Sequence, residues 1–132
     1  MAGIEDLQTL IKNMKPVLSE QDYVFCTLGK VLDDEILTLN PLCMMQEEEG
    51  ITLILEKAVA DKAGFPYSGV YHKITLLVHS SLEAVGLTAA FSKALTDHDI
   101  SANVIAGYYH DHIFVPKAKA SRAMKALQEL TG

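Results

Sequence analysis

The chain has 132 residues, enough for one ordinary domain or two very small subdomains sharing a core, and its 49% apolar content can supply that core. Eleven basic against seventeen acidic residues give a net charge of −6 with no basic stripe, which argues against nucleic acid and anionic membrane surfaces as partners. Cys26 and Cys43 lie inside apolar runs without CxxC spacing, as small core residues do in a reducing compartment.

In chain order, "MAGIEDLQTLIKNM" places Ile4, Leu7, Leu10, Ile11 and Met14 at helical spacing, and Pro16 stops the pattern. Its two early acids are unlike a secretory signal, and no apolar run approaches the length of a bilayer span, so a cytoplasmic protein is expected. "YVFCTL" at 23–28 has the β-branched and aromatic content of a strand. "GKVLDDEILTLNP" is mixed, with a turn near Asp33–Asp34. "LCMMQ" and "ITLILE" flank the acidic tip "EEEG" as a hairpin, and "KAVADKAG" reads as a short helix ended by Gly64. "FPYSG" is the stretch best suited to a joint, and it divides the chain into 1–68 and 69–132.

"HKITLLVHS" at 72–80 reads as a strand, and Leu87, Ala90, Phe91, Ala94 and Leu95 mark a helix with one buried face. "ISANVIAGYY" and "HIFVP" are two strands around the turn "YHDH". After Pro116 comes a last helix with Ala120, Ala123, Met124, Leu127 and Leu130 on one side.

An internal repeat ties the halves together. "LILEKAVADKA" at 53–63 aligns without a gap on "IFVPKAKASRA" at 113–123, so Lys57, Ala58, Ala60 and Ala63 match Lys117, Ala118, Ala120 and Ala123, and Lys62 faces Arg122. The same offset lays "LCMMQ" over "ANVIA". The first copy has no room for the long helix at 87–98. The expected order is strand, helix, strand, strand, helix, twice, the first time abbreviated: an α+β protein with an antiparallel sheet and helices on one face.

"SSLEAVGLTAAFSKAL" at 80–95 joins a strand to the amphipathic helix. Ser80 and Glu83 form a candidate capping box, but Gly86 favours a later start near Val85, because glycine is costly inside a helix and useful where backbone passes close to something. Free N–H groups at that start suit a carboxylate, although a plain cap that binds nothing is also compatible with this stretch.

Residues 80–116, "SSLEAVGLTAAFSKALTDHDISANVIAGYYHDHIFVP", resemble the core of the ACT-domain superfamily, and most closely its small bacterial proteins of two ACT-like repeats. The resemblance is strong over 74–116 and weaker over 23–63. It implies ferredoxin-like βαββαβ units that bind small effectors, often amino acids, to regulate an enzyme or transporter. It further implies ligand contacts at Ala84, Val85, Gly86, Leu87 and Thr88, with Asn103 and Ile105 on the neighbouring strand. The chain departs from the pattern in lacking the first repeat's long helix and any attached catalytic domain.

His110 and His112 lie two apart and, in an extended chain, share a face. With Asp111 they are the candidate metal ligands, but a structural zinc site takes four ligands and a catalytic one three plus water, and His72, His79 and His98 lie on other elements. The tip is therefore read as a hairpin end with no metal and no cofactor. The sequence reading is a small-molecule sensor, with an amino acid as effector and a homo-oligomer, most simply a dimer, as its assembled form. A metal-dependent enzyme using His110, Asp111 and His112 and a ligand-free assembly module are its alternatives.

Overall fold

The structure, a computed structural model, describes residues 6–29, 34–78 and 85–132. It divides into two compact units. One comprises residues 1–20 and 72–132, the other Gln21–Tyr71. The division at residue 68 follows chain order, whereas these units follow packing, and the N-terminal helix packs with the second half of the chain.

In the first unit, α1 (Leu7–Lys12) is opened by Asp6, whose carboxylate accepts from the Thr9 N–H at 3.0 Å and the Thr9 hydroxyl at 2.7 Å. Strand β1 (Pro16–Leu28) begins here and runs on into the second unit. Pro16 sits at the strand's first position, where a missing N–H is tolerated. The unit continues with β4 (Tyr71–Leu76), α4 (Leu87–Thr96), β5 (Asn103–Ala106), β6 (Asp111–Pro116), a single 3₁₀ turn at Lys117–Lys119 and α5 (Ala120–Thr131). Its strand order is β1-β4-β6-β5. Ile74 and Leu76 of β4, Ile113 and Val115 of β6, and Leu87, Phe91 and Leu95 of α4 meet Ala123 and Leu127 of α5 in one core. Strand alternation sends the residues between them, including Thr75 and His112, to the helix-free face.

In the second unit the order is β2-β3-β1, with β2 (Cys43–Gln46) and β3 (Ile51–Glu56) antiparallel and β3 antiparallel to β1. The "GKVLDDEILTLNP" stretch contains a four-residue helix, α2 (Glu35–Thr38), absent from the sequence expectation because four residues are too few to show a period. α3 (Lys57–Ala63) ends at Gly64, whose φ of 79° is the left-handed C-cap expected of glycine. Val24, Cys26, Ile36, Leu53, Leu55 and Ala60 belong to this unit's core, with Phe65 and Tyr67 of the proposed joint, and Val70 just after it, packed on it.

The repeat holds position by position. Cys43 pairs with Ile54 as Asn103 pairs with Phe114, and Gln46 with Ile51 as Ala106 with Asp111, each pair sixty residues from its counterpart. Both hairpins turn through two residues, Glu48–Glu49 and Tyr108–Tyr109, with Glu47 N–H donating to the Gly50 carbonyl and Gly107 N–H to that of His110, both at 2.9 Å. The architecture is the expected antiparallel, ferredoxin-like α+β fold in two repeats, the first abbreviated: α2 has four residues where α4 has ten.

Candidate functional site

The junction before α4 is built around Gly86. Its φ of 100° is left-handed, and it stands at the N-cap with no side chain to satisfy the helix. The first intrahelical bond ending on it runs from the Ala90 N–H to the Gly86 carbonyl at 2.9 Å. The N–H groups of Leu87, Thr88 and Ala89 therefore belong to the open first turn, which contains no acidic side chain. A Cβ at position 86 would lie 3.1 Å from Leu7 Cδ2, so α1 closes one side of the glycine. That positive φ removes the condition, a negative φ, under which Gly86→Ala is a harmless probe.

The residues singled out at this junction separate by environment. Val85 is 82% exposed, Leu87 is buried in the core, and Thr88 is exposed on the first turn. Ala84, Ser80 and Glu83 lie outside the described residues. Asn103 and Ile105 lie on β5. Their neighbour Val104 faces the helices, so alternation directs both to the helix-free face, where Asn103 Nδ2 donates to the Phe114 carbonyl at 3.3 Å.

The His-Asp-His tip is likewise divided. His110 lies in the turn and lends its carbonyl to Gly107; a side chain on Gly107 would come within 2.9 Å of that oxygen. His112 Nδ1 is 2.9 Å from Thr75 Oγ1, on the helix-free face. Burial, then the charges of Lys73 and His110, push its pKa below the ordinary imidazole value. Asp111, one position earlier in β6, is directed to the other side, and burial raises its carboxyl above the usual range against the pull of His110. Among the described residues no three His, Cys, Asp or Glu side chains are grouped to hold a metal ion.

Sequence reasoning missed two features. Leu7 is the neighbour that closes one side of Gly86, a contact between distant parts of the chain that no local pattern encodes. A cleft of about 490 Å³ between α2 and α3, lined by Leu28, Ile36, Leu39, Ala63 and Phe65, was also unforeseen, although the shortness of the first copy was its signal.

Two ACT-domain profiles match the chain, one over residues 2–72 and the other over 70–129. The chain belongs to the ACT-domain family. It is similar, at 52% identity over 99% of its length and all of the other's, to a Vibrio cholerae protein of unknown function described as a "possible transport protein", with a TM-score of 0.87. The regulatory subunit of aspartate kinase from Thermus flavus shares the fold at 9% identity, 89% of this chain covering 97% of that one at a TM-score of 0.63. Aspartokinase III of E. coli, solved with aspartate and ADP, shares it at 11% identity over 87% of this chain and 32% of that one, also at 0.63. No curated protein matches the chain. No described helix is long and apolar enough to cross a membrane.

Proposed function

We propose that this protein is a small-molecule-binding regulatory module whose effector is an amino acid, held by its carboxylate at the start of α4. Membership of the ACT-domain family supports the class. The observation that carries the site is Gly86 in a left-handed conformation before a ten-residue helix whose first turn has no acid to neutralise it. Val85, Gly86, the Leu87 N–H and Thr88 would meet the ligand. Asn103 and Ile105, on the helix-free face, stay outside this proposal.

A thermal-shift screen of the twenty amino acids tests the class, because a ligand bound only by the native state raises the melting temperature. Aspartate comes first, since one protein of similar fold was solved with it. Calorimetry with the best ligand on wild type and Thr88→Asp then tests the site. An acid in the first turn favours the helix by about 0.3–1 kcal/mol but repels a carboxylate. The variant should melt no lower than wild type and bind at least about tenfold more weakly. Unchanged affinity places the ligand elsewhere, and a screen without a hit removes the amino-acid reading.

The assembly we propose is a symmetric dimer through a sheet edge. β2 and β5 are short edge strands, and Met44 and Met45 on β2 are 40% and 57% exposed. Light scattering across micromolar concentrations should give twice the chain mass; a constant monomer mass rejects it.

A further inference from the structure

Thr75 on β4 and His112 on β6 meet across two neighbouring strands, with Thr75 Oγ1 2.9 Å from His112 Nδ1. Both lie on the helix-free face, away from the core and from the start of α4. Lys73, two positions before Thr75 on β4, is directed to the same side. β1 contributes Val17 and Ser19 there, since Leu18 between them packs on the core, and β5 contributes Asn103 and Ile105. Asp111 is turned the other way. Among the described strand residues of this unit, the face carries Lys73 and His112 but no carboxylate, in a chain with seventeen acidic residues against eleven basic ones.

The imidazole is engaged at Nδ1, and Gly107 lies beside Nε2. A Cβ on Gly107 would come within 3.3 Å of that nitrogen, so the glycine leaves this edge of the ring uncovered. After burial, the forces on the ring are the charges of Lys73 and His110, so the surroundings favour a negative guest. An anion would draw a proton onto the imidazole. Nδ1–H then donates to Thr75 Oγ1, which leaves the Thr75 hydroxyl and Nε2–H to donate to the guest beside the Lys73 ammonium.

We propose that Lys73, Thr75 and His112 bind the dianion of a phosphate group on the helix-free face. Two cationic groups and three donors match a doubly charged acceptor with three oxygens. A carboxylate, with one charge and two oxygens, leaves part of that set unused. The site uses no residue of α4 and stands independently of the amino-acid reading.

The probe is inorganic phosphate, titrated at slightly alkaline pH into the full chain with labelled amides and histidine rings. Saturable shifts are expected at the His112 ring and the Thr75 amide, while acetate and chloride at equal ionic strength produce none that saturate. Thr75→Val removes the hydroxyl and Lys73→Met the charge. Each should weaken phosphate binding at least about tenfold, as loss of a hydrogen bond to a charged group does. Thr75→Ser, which keeps the hydroxyl, should bind within about threefold of wild type. Sulfate stays doubly charged throughout the imidazole range. It should raise the titration midpoint of the His112 ring in wild type and move it much less in Thr75→Val. Equal, saturable shifts with acetate, or undiminished affinity in Lys73→Met and Thr75→Val, overturn the proposal. So do shifts confined to Leu87, Thr88 and Ala89, because the anion would then sit at the start of α4.

Discussion

The two repeats share a hairpin and a following helix position by position, and differ in what lies over the sheet. In the unit formed by residues 1–20 and 72–132, α1, α4 and α5 contact one another, and Leu10, Met14 and Phe91 have no exposed surface. In the Gln21–Tyr71 unit, one turn of helix and the seven-residue α3 leave a cleft open. A duplicated backbone therefore does not imply a duplicated core. The strand and turn pattern is set locally and survives, while the helical cover depends on chain length and can be lost on one side.

The comparison breaks most sharply at the buried helix. Phe91→Ala removes a fully buried ring from the α4 core and should cost about 3–5 kcal/mol. Ile36→Ala removes the counterpart contact from α2, but it widens a cleft that already opens to solvent. About 2 kcal/mol, the lower end for such a change, is expected there. Urea titrations of the two variants measure both. Equal losses would mean that the first repeat is as tightly covered as the second.

Gly86 and Gly64 sharpen it at a smaller scale. Both have positive φ, so alanine is strained at either, by about 1 kcal/mol or somewhat more. At Gly64 an added Cβ meets nothing within 4 Å, but at Gly86 it meets Leu7 Cδ2 at 3.1 Å. Gly86→Ala should therefore be the more destabilising of the two in chemical denaturation. Its margin shrinks with Leu7→Ala in the background, where that contact is gone.

The local chemistry behind these expectations was legible to different degrees. The two hairpins, Gly64 as a helix stop and the sixty-residue repeat were visible, because each rests on residue types at short spacing. The first seven residues of β1, "PVLSEQD", were not, since Ser19, Glu20, Gln21 and Asp22 suggest a loop until a partner strand supplies their hydrogen bonds. The helix at 87 was legible from its period and its glycine, while the left-handed φ of Gly86 was not. Asn103 was named through the resemblance, and the face it takes was not legible, because that depends on register; with Val104 on the helix side, Asn103 falls on the other.

The smallest effect concerns the clamp at the end of α4. Arg122 donates to the His98 carbonyl, which lies beyond the last helical residue and lacks an intrahelical partner. Arg122→Ala leaves that carbonyl to water, which can reach it because the bond lies at the surface. The loss should be about 0.5–1.5 kcal/mol, the usual net worth of such a bond. Lys62 occupies the matching position on α3, where it lines a hollow with Thr38 and Leu39 at the end of α2, and like Arg122 it is open to solvent. Lys62→Ala should then change stability by no more than about 0.5 kcal/mol, as an exposed surface substitution does. Thermal melts of the two variants, read side by side, decide whether the clamp acts in one repeat only. A loss at Lys62 as large as that at Arg122 would mean that Lys62 holds the end of α2 as Arg122 holds the chain after α4.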